Sequence, residues 1–239
     1  MLPNLLMHEF QPLTILHQDD DCIAIAKSPG IHVHPSPLSP GEPSCMNILR
    51  DQIGSYVYPV HRIDRATSGI VLFALSPDAL RSFNEIMRSG GMNKCYHAIV
   101  RGWMDDVMCD SPISVDDKVQ EAETRFTQVT QAEMNFPTQH FPSSRISLVH
   151  AELLTGRRHQ IRKHCAHLRH PIAGDVRYGD GKFNLLFRTH YNLHRLLLFA
   201  TTLNFLHPRT HEEIIIKYNP RIKDEALDFF CETYAFKFD

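Results

Sequence analysis

The 239-residue chain has no uninterrupted apolar run near the roughly 18 residues that a membrane-crossing helix needs. Residues 1–12 carry neither a basic start nor a long apolar stretch, so no secretory leader is expected. Glycine and proline, at 11 and 15 residues, are too few for a collagen-like or low-complexity chain. The six cysteines (Cys22, Cys45, Cys95, Cys109, Cys165 and Cys231) are irregularly spaced and form no CxxC pair. A disulfide framework and a thiolate zinc site are therefore not expected, and reduced thiols in a cytoplasmic protein are. There is no internal repeat and no clear linker. What is present is ordinary for a packed globule: 43% hydrophobic and 22% charged residues, with a formal net charge of −2.

That near-zero net charge hides a segregation. Residues 1–60 carry a net charge of −4 and residues 101–149 another −4, whereas residues 150–200 hold nine basic against three acidic side chains. A local basic patch attracts polyanions whatever the total charge.

The pattern of elements argues for α+β with a mixed, mainly antiparallel sheet, because strands dominate and no βαβ rhythm appears. Leu13–His17 and Cys22–Lys27 read as strands joined by an acidic turn. Ser28–Pro43 holds five prolines and reads as loop, and Ser44 can cap a helix running to Ile53. Gly69–Ser76 reads as a buried strand. Ser76-Pro77-Asp78 then opens a helix that Gly90-Gly91 ends. Lys94–Arg101, Glu123–Val129, Arg145–Leu154, Leu196–Phe205 and Glu213–Tyr218 have strand character. His159–His170, stopped by Pro171, and Lys223–Tyr234 read as helices.

Three stretches carry chemistry. In His61-Arg62-Ile63-Asp64-Arg65-Ala66-Thr67-Ser68-Gly69, two arginines flank Asp64. Nearby cations keep a carboxylate charged, and a charged carboxylate on a loop above a sheet can act as a nucleophile. The same residues also suit an ordinary surface loop with Asp–Arg pairs. The run from Thr155 to His170 holds Arg157, Arg158, Arg162, Lys163 and Arg169 and no acid. As a helix it puts Ile161, Cys165 and Leu168 on one side and lets Arg158 and Arg162, one turn apart, project together. Its histidines lack the HExxH pattern and any acidic co-ligand, which argues against a metal. Tyr96, on a strand whose two faces differ, suits core packing or stacking on a base with a hydroxyl that moves a proton.

HRIDRATSG (61–69), KCYHAIVRG (94–102) and TGRRHQIRKHCAHLRHPIAGD (155–175) together resemble, in order and spacing, the signature blocks of the RluA family of pseudouridine synthases. The likeness runs from about Leu13 to Tyr218. YHAIVRGW (96–103) and AHLRHPIAGD (166–175) narrow it to a subgroup that modifies position 65 of tRNA. The resemblance implies one catalytic domain over residues 1–239 without the S4 domain of some relatives, a monomer, no membrane partner and no cofactor or metal. It implies that Asp64 attacks a flipped-out uridine, that Arg62 helps displace it, and that Tyr96 lies on the base and serves in proton removal. Arg162 would pair with the carboxylate. Arg157, Arg158, Lys163 and Arg169 would contact RNA, and Leu197, in the block Arg195-Leu196-Leu197-Leu198, would pack beside the base. The chain departs from the family in reading Lys27-Ser28-Pro29-Gly30 near its start and Phe199 in the later block. An rRNA substrate, a catalytically silent RNA-binding protein on the same fold, and metal-dependent hydrolysis are the competing readings.

Overall fold

A computed structural model describes residues 11–35, 40–137 and 142–238. Its frame is a ten-stranded sheet. The strands on its main path are β1 (Thr14–Gln18), β2 (Cys22–Lys27), β4 (Ser68–Ala74), β5 (Met92–Arg101), β6 (Val107–Cys109), β9 (Thr124–Met134), β10 (Ser144–Leu153) and β11 (Leu198–Leu206). They run in the order β1-β2-β4-β11-β5-β10-β9-β6. β3 (Tyr58–Pro59) pairs with β4, and β12 (Glu213–Lys217) pairs with β11. A separate hairpin joins β7 (Ile113–Val115) to β8 (Lys118–Gln120).

Among the described residues every strand-to-strand pairing is antiparallel except one. β4 and β11 run parallel through only Phe199↔Ser68 and Ala200↔Gly69, after which β3 takes the edge of β4 and β12 the edge of β11. Gly69 makes that contact possible. Its φ is +118°, and a Cβ there would stand 2.2 Å from the Ala200 carbonyl oxygen. Only glycine tolerates both conditions.

Among the described residues, five helices cover the sheet. α1 (Cys45–Ile53) starts at Ser44, whose hydroxyl accepts the Asn47 N–H, and buries Ile48 and Leu49 against Ile25 and Phe73. α2 (Pro77–Arg88) starts at Ser76 in the same way and sends Phe83 against Leu72 on the opposite face. α3 (Gln160–His167) packs Ile161 and Cys165 on Tyr96, Ala98 and Leu198. The other face carries Ile99 of β5 and Phe199 of β11, with Leu197 just ahead of β11 in the same cluster. It is covered by α4 (Gly181–Tyr191) and α5 (Glu225–Thr233) through Phe187 and Phe230. Each such buried side chain is worth about 1.5–3 kcal/mol.

The short strands β3, β6, β7 and β8 are not among the expected ones, and β9 runs on to Met134, past the expected Val129; two helices also differ from the sequence expectation. α4 is not among the expected helices, although Asp180 caps it and Phe183, Phe187 and Tyr191 recur at i, i+4 and i+8 on its buried side. α3 is shorter than His159–His170. His159 at its start is left-handed (φ +57°), and Arg169 takes φ +63° ahead of Pro171, which ends the helix early. The expected loop over Ser28–Pro43 lacks helix and strand where it is described, and residues 36–39 lie outside the described residues.

Candidate active site

The parallel contact of β4 and β11 fixes one wall of a cleft, and the loop entering β4 brings Asp64 to it. That loop is held from beneath by Lys27. The Lys27 side chain is fully buried, and its ammonium donates to the carbonyls of Ser28 (2.9 Å), Ile31 (3.0 Å) and Arg65 (3.0 Å). Burial pulls its pKa down to about 8. Gly30 donates its N–H to the Arg65 carbonyl, and the Arg65 guanidinium donates to the Gly30 carbonyl. The Thr67 N–H closes the turn on the Asp64 carbonyl at 3.1 Å.

The cation on Asp64 comes from α3. Arg162 Nη1 donates to Asp64 Oδ2 at 3.1 Å, while its Nε and Nη2 grip both oxygens of Asp175 at 2.8 and 2.9 Å. The flanking Arg65 turns instead to Gly30 and Glu42, and Arg62 is exposed at the rim. Asp175 is the buried anchor of the network and also accepts the N–H groups of Arg177 and Tyr178. Burial acts to raise its pKa, but the Arg162 bonds and the two N–H groups outweigh this and hold it below the ordinary carboxylate value.

His159 completes the surroundings of Asp64. Its Nδ1 lies 2.9 Å from the Tyr178 hydroxyl and its Nε2 lies 3.8 Å from Asp64 Oδ1. Burial lowers its pKa against the opposing pull of Asp64, so the ring is neutral at neutral pH. Tyr96 stands on β5 and is 7% exposed. Burial first, and the Asp64 charge second, raise its pKa, so the hydroxyl keeps its proton.

The cleft is lined by Asp64, Tyr96 and Arg162, by the apolar Ile63, Leu153, Ile161 and Leu198, and by Arg62, Lys94 and Arg157. Leu197 does not line it. Strand neighbours face opposite ways, and Leu197 is fully buried in the cluster beneath α4 and α5, so the wall position belongs to Leu198. Arg158 and Arg162 do not project together. Arg158 lies ahead of α3, exposed, and pairs with Asp116 at 3.1 Å, while Arg162 points inward. The Lys163 ammonium bonds the Ser114 carbonyl of the β7–β8 hairpin. Arg169 is exposed beyond the opposite end of α3. Both ring nitrogens of His164 lie at hydrogen-bond distance from Thr124 and Ser111, and His167 bonds Ser111.

The sequence reading passed over Asp175, His159, Tyr178 and Lys27 as site residues. A signal existed for one of them. Asp175 is the first acid after the acid-free cationic run, in the same block.

Comparison with known proteins adds to this geometry. The sequence pattern of the family described as RNA pseudouridylate synthase matches residues 21–167. A Vibrio parahaemolyticus protein named tRNA pseudouridine synthase C is 42% identical over 219 residues, covering 86% of this chain and 89% of the relative. One of the same name from Salmonella typhimurium is 41% identical over 86% of this chain and 84% of the relative. Among solved structures, Human RNA Pseudouridylate Synthase Domain Containing 1 superposes with a TM-score of 0.70 at 20% identity, covering 95% and 96% of the two chains. At that identity the superposition speaks to the fold, which is the mixed, mainly antiparallel α+β architecture expected.

Proposed function

The chain belongs to the RNA pseudouridylate synthase family, and from that premise we infer that it isomerises a uridine of tRNA to pseudouridine, with position 65 as the target and Asp64 as the attacking group. The tRNA substrate rests on the names of the relatives. The position rests on the likeness of residues 96–103 and 166–175 to the subgroup that modifies it. The observation that carries the mechanism is the pairing of Asp64 with Arg162, itself gripped by the buried Asp175.

The reaction breaks the N–C glycosidic bond, turns the base and joins it again through carbon, with no net redox change. It needs an anionic nucleophile held in a closed pocket and a base drawn out of the stack. Arg162 aims Asp64, because a guanidinium with its Nε–Nη2 edge already fixed on Asp175 has little freedom left. The flipped base would lie between Tyr96 and the apolar wall of Ile63, Ile161 and Leu198. Arg62, exposed at the rim of the cleft, would enter the gap left in the RNA.

The raised pKa of Tyr96 fits a role late in the cycle. Part of that rise comes from the Asp64 charge. Once Asp64 is bound covalently to the nucleoside its charge is gone, so the hydroxyl gives up its own proton to solvent more readily, and the phenolate then accepts the proton that must leave the base carbon.

The test is tritium release from tRNA labelled at the uracil 5-position, combined with pseudouridine mapping in cells lacking the protein. Loss of the modification at tRNA position 65 alone is expected. Loss from rRNA with tRNA unchanged would overturn the substrate assignment.

A further inference from the structure

Lys94 lines the cleft from β5, two residues before Tyr96. Side chains two apart on a strand share a face, so Lys94 and Tyr96 point the same way with their Cα atoms roughly 7 Å apart. The other cations around Asp64 are engaged by oxygen. Lys27 donates to three carbonyls, Arg65 to Gly30 and Glu42, Arg157 to the Glu121 carbonyl, and Arg162 to two carboxylates. Among the described residues the Lys94 ammonium has neither a carboxylate nor a carbonyl partner. Its hydrogen bond runs to the Met87 sulfur at 3.6 Å, and a thioether is a weak acceptor.

The nearby loop does not supply one. Burial first, and the Lys94 charge second, lower the His61 pKa to about 3, so the ring is neutral. Its Nε2 accepts the Leu72 N–H at 3.3 Å, which leaves the ring proton on Nδ1 and no acceptor for the ammonium. Burial likewise lowers the Lys94 pKa, with no carboxylate pulling it back up. Lys94 is half-buried, and water serves its ammonium while the cleft stands open. A flipped base that fills the cleft expels that water, and the ammonium then needs an oxygen from the ligand.

The reaction makes an anion where Tyr96 would hold the base. Breaking the N–C glycosidic bond leaves its electron pair on the uracil ring, where it spreads onto both carbonyl oxygens. Attack of Asp64 on the ring carbon C6 would also send negative charge onto O4. Turning the ring about its N3–C6 axis, which brings C5 to the sugar, exchanges O2 and O4. A cation fixed beside one oxygen therefore meets the other after the turn. A fixed charge in a water-excluded pocket is worth most where charge develops in the transition state.

We propose that Lys94 is a catalytic residue of the isomerisation, its ammonium donating to the uracil carbonyl oxygen beside it and balancing the negative charge that the ring gains. The inference rests on the reaction assigned above. A phosphate is the other anion of the nucleotide. The ribose–phosphate chain of a flipped nucleotide passes at the rim, where Arg62 is exposed, whereas Lys94 shares the face of Tyr96 inside the cleft.

Lys94→Met keeps the length of the side chain and removes its charge. Under single-turnover conditions with tRNA labelled at the uracil 5-position, it should slow tritium release about 10²–10³-fold, the usual cost of one lost oxyanion donor. The Kd for tRNA should change less than about threefold, because the interaction strengthens only as the ring becomes charged. The salt slope of binding should stay level, whereas a lost phosphate contact would lower it by about 0.7–0.9. The urea midpoint should equal or exceed that of the parent, since a desolvated charge without an oxygen partner has gone. Lys94→Arg should recover part of the lost rate. A parent that releases no tritium would overturn the assigned reaction, whereas an active parent matched by an equally active Lys94→Met would overturn this inference alone. Weaker binding with a shallower salt slope at the parent rate would move Lys94 to a phosphate, and a lowered urea midpoint would give it a structural role; either result would overturn the proposal.

Discussion

Asp64 and Asp175 share Arg162, yet replacing each with asparagine should give opposite outcomes. Asp64 offers Arg162 a single bond at 3.1 Å and is 23% exposed. Without its charge, Arg162 still holds both oxygens of Asp175. Asp64→Asn should therefore cost at most about 1–1.5 kcal/mol of folding stability, while removing turnover altogether, because the amide is not a nucleophile. Asp175 is 1% exposed, takes two bonds from the guanidinium at 2.8 and 2.9 Å, and accepts two backbone N–H groups. An asparagine there turns an N–H₂ donor toward a buried cation, and breaking such a pair costs about 3–5 kcal/mol. Asp175→Asn should lose that stability and most of its activity together. The pH dependence follows from the sign of the shift. Asp175 has a lowered folded-state pKa, so its contribution is complete above the unfolded value of about 3.9 and is lost as pH falls through the lower folded value. The stability gap between parent and Asp175→Asn should stay level from about pH 8 to about pH 5 and narrow only below about pH 4. Urea unfolding across pH, beside tritium release and a tRNA-binding assay, measures all of this. Equal destabilisation by the two variants, or measurable turnover by Asp64→Asn, would refute the reasoning.

Tyr96→Phe keeps the ring and should leave tRNA binding nearly intact while turnover drops by about 10²–10⁴; turnover at the parent rate would move proton removal to another group. Lys27→Met leaves the carbonyls of Ser28 and Ile31 without their shared buried donor, while the Arg65 carbonyl keeps the Gly30 N–H. At about 1–3 kcal/mol for each unpaired group, it should destabilise the protein and lower kcat more than it changes KM; an unchanged unfolding midpoint would argue against the clamp. In tRNA binding, Arg157→Ala should reduce the log–log salt slope by about 0.7–0.9, and Arg158→Ala by less, because Arg158 already pairs with Asp116; equal slopes for the two variants would contradict the pairing. Gly69→Ala places a Cβ 2.2 Å from the Ala200 carbonyl oxygen at φ +118°, so it should destabilise the fold severely in a denaturant titration, and a well-folded variant would show that β4 and β11 can part without loss.

The sequence by itself determined most of the elements, because their signals are local. Ser44 and Ser76 read as helix caps since a side chain need only reach an N–H three residues on. The two-faced alternation of residues 95–100 placed Tyr96 and Ile99 on opposite sides of the sheet, as the structure has them. The three motif blocks also named Asp64, Tyr96 and Arg162, which meet in one cleft although 98 residues separate Asp64 from Arg162. Proximity in the chain pointed to Arg62 and Arg65 as the cations beside Asp64, whereas the family resemblance pointed to Arg162, and Arg162 is the one that α3 buries there. Tertiary structure alone revealed that Asp175 aims it. It decided that Leu198 and not Leu197 walls the cleft, since a strand of continuous leucines does not reveal which face meets which layer. It also brought His207 to Asp19 and Asp21, whose meeting depends on the positions of β12 and β1 at the sheet's far end. Pairings between residues far apart in the chain leave no periodic trace in the sequence, and only the sheet order fixes them.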